Sequence, residues 1–269
     1  MENLSTSEWL IERELPLEKL LSCASIADLN ALADIITDEG RGRVSLTESA
    51  KKMLMQYKRQ NNRQKMALAL ASEICMFGGN TVANAFRKRT NIPYDVVAKD
   101  VAKKLGAKVS KKMTLLEIER AIIENILSKS LKEGQQEELI RLFSSNQLNV
   151  SREQIEHLLK QDKTSELVSL LISSCGPYAI SRMVNSAMVP AIKLAAKAGL
   201  PALGKVIAGR APAMLNPIAA VVSAAWLTYD LTGPAYRVTI PAVIRIACIR
   251  LENIQQQTDQ FCSEMRQCL

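Results

Sequence analysis

Four helix-start signals, spread along the chain, constrain its fold more than any other feature. They are Ser5-x-x-Glu8, Ser45-x-x-Glu48, Thr114-x-x-Glu117 and Ser151-x-x-Gln154. In such a capping box the hydroxyl accepts a hydrogen bond from an amide near the helix start, and the Glu or Gln side chain reaches back to the cap. Four boxes in one chain predict helices rather than strands.

The spacing of apolar residues after two of these signals supports the same fold. Behind Thr114, apolar side chains recur at three- and four-residue steps, at Leu115, Ile118, Ile122 and Ile126. Charged residues lie between them, at Glu117, Glu119, Arg120 and Glu124, and this pattern predicts an amphipathic helix that faces the core. A second helix is expected to open at Asn91 and Pro93, with Tyr94, Val97, Val101 and Leu105 as its apolar stripe and Gly106 as its stop. Further helices are predicted near 17–37, 46–58, 62–77, 80–89, 134–144, 151–160 and 164–174.

The composition fits helix-on-helix packing. Hydrophobic residues make up 48% of the chain but aromatic residues only 4%, so aliphatic side chains and methionine must fill the core. We therefore predict an all-α fold, a multi-helix bundle that ends in an apolar helical hairpin rich in Ala, Gly and Pro.

The composition changes at Gly176, which divides the chain into three predicted parts. The segment 176–249 holds seven of the nine prolines, and Asp230 is its only acidic residue. Thr239 and Pro241 are expected to open a last helix, apolar nearly all round before it turns polar. The predicted parts are a charged helical body (1–175), an apolar and basic helical segment (176–250) and a polar C-terminal tail (251–269).

The stretch from Ala211 to Tyr229 is uncharged for 19 positions, at the lower edge of a bilayer-spanning length. Its alanine content and the interruption at Asn216-Pro217 leave two interpretations open, a buried hairpin and a segment that enters a membrane. In the second, basic side chains snorkel to anionic headgroups and apolar ones lie deeper. The predicted membrane contacts are Lys193, Lys197, Lys205, Arg210, Ala220, Val221, Val222 and Trp226.

Charge is strongly segregated along the chain. Residues 1–40 hold 2 basic and 9 acidic side chains, whereas residues 41–112 hold 17 basic and 4 acidic ones. The acidic segment could neutralise the basic one within the same molecule. Alternatively, the basic region could bind anionic lipid, nucleic acid or an acidic partner. Few aromatic residues accompany it, which argues against a base-stacking platform.

Signals for catalysis are sparse. The single histidine, His157, lies on a polar predicted helix, and Val206 replaces the Ser or Thr that a phosphate loop at Gly199–Lys205 would need. None of the six cysteines forms a CxxC motif, and they are expected to be buried side chains in a reducing compartment, apart from Cys262 and Cys268 on the polar C-terminal stretch. We expect no enzymatic activity, cofactor, metal site or small-molecule substrate.

Two motifs resemble a known family. They are Phe77-Gly78-Gly79-Asn80-Thr81-Val82-Ala83-Asn84 and Ala235-Tyr236-Arg237-Val238-Thr239-Ile240-Pro241-Ala242-Val243 with Ile246-Ala247-Cys248. Both are similar to motifs of the YaaW-like family of uncharacterised bacterial proteins. Its members are sometimes labelled as related to ubiquinol–cytochrome c chaperones, a label that implies a helical assembly factor without an active site. In physical terms Gly78-Gly79 predicts a helix stop and Asn80 a cap for the next helix.

These features predict a non-enzymatic helical interaction protein of the bacterial cytoplasm, with a latent capacity to associate with the inner membrane through residues 176–249. Its expected partner is an anionic membrane surface or another protein. One alternative is a chaperone-like assembly factor that binds polypeptides, and a second is a membrane-permeabilising effector.

Overall fold

The computed structural model describes residues 14–37, 46–79, 92–132 and 236–268, together with Glu153, His157, Leu158, Gln161, Glu166, Leu167 and Leu170. Within these residues the chain forms seven α-helices and no strand, which confirms the predicted all-α fold. The helices are α1 (Leu17–Cys23), α2 (Ile26–Thr37), α3 (Glu48–Gln60), α4 (Arg63–Gly79), α5 (Tyr94–Leu105), α6 (Leu115–Lys132) and α7 (Tyr236–Cys268). The predicted helices over 80–89 and 134–144, and residues 176–235 of the predicted apolar segment (176–250), lie outside the described residues.

Helices α1 and α2 replace the single helix predicted over 17–37. Ala24 has extended backbone angles, and the Ser25 hydroxyl accepts a hydrogen bond from the Asp28 amide at 3.1 Å. A serine in this position satisfies an amide that a new helix would otherwise leave unpaired. The single-helix prediction is therefore wrong, because it passes over the cap at Ser25.

The capping boxes have different outcomes. At the start of α6 the Thr114 amide donates to Glu117 Oε2 at 2.7 Å, and the Glu117 amide donates to Thr114 Oγ1 at 3.3 Å, so this box is confirmed. The box at Ser45 is wrong. Thr47 caps α3 instead, accepting from the Ala50 amide at 3.2 Å, because the helix begins two residues later than predicted. The boxes at Ser5 and Ser151 lie outside the described residues.

Helix α5 follows its predicted limits. Pro93 precedes the first helical residue, and Gly106 ends the helix with φ 77°, in the left-handed region that glycine adopts at little cost. The Gly106 amide donates to the Lys103 carbonyl at 3.0 Å, which satisfies one of the carbonyls at the helix end. All four residues of the predicted stripe, from Tyr94 to Leu105, are buried.

Helix α7 differs most from its prediction. It already includes Tyr236, so Thr239 and Pro241 do not open it, and Pro241 lies inside the helix. Every residue from Val238 to Arg250 is buried. A helix that is buried all round is stabilised by its neighbours, so it can tolerate the hydrogen bond that a proline removes. The remainder, from Leu251 to Cys268, becomes progressively exposed.

The core forms around α7. This helix contacts α1, α2, α4, α5 and α6, while α3 packs on α2 and α4. The described residues within 14–132 and residues 238–250 therefore share one hydrophobic core, and the predicted boundary after residue 250 falls within α7. The described helical residues near 160 contribute Leu167 to the same core.

Candidate interaction site

Two buried ion pairs fix α7 in the core. The first joins Arg250 Nε to Glu119 Oε2 on α6 at 2.6 Å, with 1% and 2% of the two side chains exposed. Arg250 Nη1 also donates to the carbonyl oxygen of Leu15 at 2.8 Å. One guanidinium thus connects α7 to α6 and to the chain just before α1.

Tyr94 on α5 completes this network, since its hydroxyl donates to Glu119 Oε1 at 3.0 Å. Burial raises the pKa of the Glu119 carboxyl, while Arg250 and Tyr94 oppose that shift by favouring the carboxylate. Burial and the Glu119 charge raise the pKa of Tyr94 well above its usual value. The Tyr94 hydroxyl therefore keeps its proton and remains a hydrogen-bond donor at neutral pH.

The second ion pair joins Arg245 Nη2 to Asp28 Oδ1 on α2 at 2.8 Å. The Ser25 hydroxyl donates to the other oxygen of Asp28, so this carboxylate both pairs with α7 and supports the cap of α2. The two arginines lie five residues apart in α7 and point to different neighbouring helices. Together they fix the rotation of α7 about its own axis.

The arrangement of these buried groups favours a positioning role. Each carboxylate is bound by an arginine and a hydroxyl and lies away from solvent. Among the residues described by the structure, no group of three or more His, Cys, Asp and Glu side chains is placed to hold a metal ion.

Glu119 is one of the charged residues between the apolar positions of α6, and it is buried, with 2% of its surface exposed. Glu119 lies four residues after Leu115 and three before Ile122, so it occupies a core position in the same spacing that identified the helix. A carboxylate at such a position is a detectable signal for a buried ion pair. Arg245 and Arg250, within the apolar part of α7, give the matching signal.

The outer face of α3 carries a basic groove. It is an open depression of about 420 Å³, lined by Lys51, Lys52, Met55, Gln56 and Arg59. Lys51 pairs with Glu48 at 3.7 Å, and the neighbouring Lys58 pairs with Asp34 on α2. Lys52 and Arg59 are exposed and form no ion pair with any other residue in the described ranges.

The first family motif lies at the contact between α4 and α5. Phe77 is fully buried, and α4 ends at Gly79, in agreement with the helix stop predicted at Gly78-Gly79. A Cβ on Gly78 would lie 2.3 Å from Val97 Cγ2, which means that glycine allows α4 and α5 to approach each other closely. The predicted cap at Asn80 lies outside the described residues.

The second motif packs against the same helix α5. Lys104 Nζ lies 5.1 Å from the centroid of the Tyr236 ring, and burial, with Asp100, raises the pKa of Tyr236. Arg237 is helical, and Pro241 is buried inside α7. Both motifs thus supply packing residues on opposite parts of α5.

The predicted membrane contacts lie outside the described residues. These are Lys193, Lys197, Lys205, Arg210, Ala220, Val221, Val222 and Trp226, and the phosphate-loop-like Gly199–Lys205 lies there as well. In the described part of the chain, no helix combines the length and the apolar content needed to cross a bilayer. Of the segment 176–249, residues 238–249 are described as core of the helical body.

The remaining candidates are surface residues or packing residues. His157 is exposed, and its Nε2 lies 3.1 Å from Gln161 Nε2, one helical turn away. Among the cysteines, Cys248 is buried and Cys262 and Cys268 are exposed, as predicted. Cys23 is exposed, so the expectation that it is buried is wrong. Cys75 is half-buried, and burial together with Glu18 raises its pKa to about 11.

The fold and site define an all-α protein in which a buried C-terminal helix, held by two internal ion pairs, closes a core of shorter helices and leaves a basic face exposed. The chain belongs to the UPF0174 family, which confirms the predicted YaaW-like resemblance.

Similarity to the relatives extends over most of the chain. A UPF0174 protein of Helicobacter pylori strain J99 is 28% identical over 253 residues, covering 93% of this chain and 95% of that protein. The UPF0174 protein YaaW of Escherichia coli K12 is 31% identical over 187 residues, covering 67% of this chain and 69% of YaaW. No family model matches the chain, and no solved structure matches it.

Proposed function

We propose that the protein is a non-enzymatic helical interaction protein of the bacterial cytoplasm that associates with the anionic surface of the inner membrane. The observation that carries this proposal is a set of exposed cations without ion pairs to other described residues. They are Lys52, Arg59, Arg63, Lys103, Lys108, Lys111 and Lys112. Each Lys or Arg near an anionic bilayer adds roughly 1 kcal/mol of attraction.

Internal neutralisation accounts for only part of the basic region. Asp34 from the acidic N-terminal part pairs with Lys58, and Glu48 pairs with Lys51 within α3. The cations named above remain in solvent, where a negatively charged surface can reach them. The buried polar groups, in contrast, are engaged in holding α7, which supports a binding role over a catalytic one.

The apolar contact with the bilayer is assigned to residues 176–235, because residues 238–249 are needed in the core. Leu167 and the α7 residues from Val238 onward belong to the same hydrophobic core, so the segment between them begins and ends at one helical body. A segment that enters the bilayer between these points must bring both ends back to the same side. This requirement favours a re-entrant or surface-lying hairpin over a single crossing.

Flotation of folded protein with liposomes tests the proposal. Binding is expected with vesicles that contain phosphatidylglycerol, to fall as salt rises, and to be absent with phosphatidylcholine alone. Ala220→Asp is expected to weaken binding, because a carboxylate is costly in hydrocarbon. If the folded wild-type protein ignores anionic vesicles at low salt and mildly acidic pH, the membrane function is excluded.

The chaperone-like alternative has one structural observation in its favour. Leu68 on α4 and Met265 on α7 are 53% and 44% exposed, and such side chains can contact unfolded polypeptides. Suppression of aggregation of a model substrate by the wild-type protein, but not by Leu68→Ser/Met265→Ser, would support it. Release of a trapped dye from the vesicles would instead favour the permeabilising effector.

A further inference from the structure

We propose that the basic groove on α3 binds the phosphates of anionic lipid headgroups through Lys52 and Arg59. This inference rests on the proposed membrane function and names the surface that first meets the bilayer. It is separate from residues 176–235, because the groove belongs to the folded helical body.

The geometry of α3 presents these two cations together. Lys52 and Arg59 are seven residues apart, which is about two helical turns, or roughly 10 Å, along one face. Gln56 lies between them on the same face and can donate hydrogen bonds from its amide. The opposite face of α3 carries the buried Ala50 and Leu54, and α3 packs on α2 and α4. The face that carries Lys52 and Arg59 is therefore directed to solvent.

Ion pairs with nearby carboxylates determine which cations of α3 can still bind a phosphate. Lys58 is held by Asp34 and Lys51 by Glu48, so these two side chains already have carboxylate partners. Within the described residues, Lys52 and Arg59 have no such partner. Arginine presents a planar fork of donors that can bind two phosphate oxygens at once, and lysine adds a compact positive charge.

The lining of the groove favours lipid over nucleic acid. The described lining residues include Met55, an apolar side chain between the cations, and no aromatic ring. An amphiphile with a phosphate above an apolar glycerol region matches such a lining. A single-stranded nucleic acid would gain much of its affinity from stacking on aromatic rings, which these lining residues do not supply.

A matched pair of charge variants tests the assignment. Lys52→Gln/Arg59→Gln removes two charges in the groove, and Lys108→Gln/Lys111→Gln removes two from the exposed loop between α5 and α6. With phosphatidylglycerol vesicles the groove variant is expected to lose about tenfold or more in partition coefficient. The loop variant is expected to lose clearly less, and circular dichroism should show both to be folded.

Each outcome distinguishes this inference from the proposed function. If the wild-type protein binds but both variants weaken equally, only net charge matters and the groove assignment is overturned. If inorganic phosphate at millimolar concentration displaces the vesicles from the wild type but not from the groove variant, the groove recognises phosphate as proposed. If the groove variant loses binding to single-stranded RNA while its vesicle binding is unchanged, a nucleic-acid surface replaces the lipid one. If the wild-type protein binds no vesicle, the proposed function itself fails.

Discussion

At the scale of single residues, Arg250 illustrates how this core combines charge with burial. Its guanidinium contacts a carboxylate and a backbone carbonyl while only 1% of the side chain is exposed. Taking two charges out of water is expensive, and the attraction between them offsets this cost only while both partners are present. The ion pair therefore specifies where α7 sits more than it adds to overall stability.

Arg250→Met should lower the free energy of unfolding by about 3–5 kcal/mol, because it leaves the Glu119 carboxylate buried beside Tyr94 without a counter-ion. Urea denaturation followed by circular dichroism measures the change. Arg120→Met is the control, since Arg120 is 54% exposed and its pair with Glu124 should contribute less than about 1 kcal/mol.

A double variant tests the reason for that loss. Glu119→Gln/Arg250→Met removes both charges and keeps an acceptor for the Tyr94 hydroxyl. It should be more stable than Arg250→Met alone by about 1–3 kcal/mol. Equal stability of the single and double variants would show that lost packing, rather than an unpaired carboxylate, causes the effect.

Gly78→Ala should destabilise the protein by about 1–3 kcal/mol, because the added methyl group would overlap Val97. Replacing Val97 by Ala in the same chain should recover part of this loss by making room. Thermal unfolding of the two single variants and the double variant gives the coupling energy. Additive effects would mean that the two side chains do not compete for the same space.

At the scale of helices, local signals gave reliable limits where both ends are marked in the sequence. Pro93 and Gly106 bracket α5, and the Thr114 box starts α6, because each acts on the backbone within one turn. The start of α7 was not predictable in this way. Its first turns are helical around Pro241 because neighbouring helices surround them, and those neighbours are distant in sequence.

The candidate site was likewise predictable only in part. The density of lysine and arginine in residues 41–112 indicated a cationic surface. Which cations remain available depends on partners brought together by folding, such as Asp34 beside Lys58, 24 positions away. Glu119 and Arg250 are 131 positions apart, so no local sequence pattern includes both partners of this ion pair.

The two halves of α7 should respond differently to truncation. Ending the chain after Phe261 removes residues that are exposed, and should change the free energy of unfolding by less than about 1 kcal/mol. Ending it after Ala235 removes the buried half, and cooperative unfolding should be lost. Retention of a sharp transition in the shorter chain would show that the residues before α7 form a core of their own.

At the scale of the whole molecule, several groups that lose protons in alkali are buried or half-buried in the folded protein. Burial raises the pKa of Cys75 to about 11, raises that of Cys248 further, and raises that of Tyr94. A raised pKa means that the folded state keeps a proton that the unfolded chain has already released. Stability must therefore fall as pH rises from about 9 towards the folded-state values.

We expect the urea midpoint to be lower at about pH 10.5 than at about pH 8, and Cys75→Ala/Cys248→Ala to lose less between these two conditions. Cys262→Ala is the control, because that residue is exposed. If the double variant and the wild-type protein lose the same amount of stability, the buried thiols do not account for the alkaline sensitivity.

The central position of α7 has a consequence for biosynthesis. A ribosome adds roughly 5–20 residues per second, so Arg250 follows Glu119, 131 positions earlier, by on the order of 10 seconds. During that interval α1 to α6 lack α7, the helix around which they pack. The apolar side chains that contact α7 in the folded protein therefore stay uncovered. Translation products that end before α7 cannot bury these apolar side chains. Proteases and chaperones can recognise this exposed surface and so distinguish such products from chains that extend past residue 250.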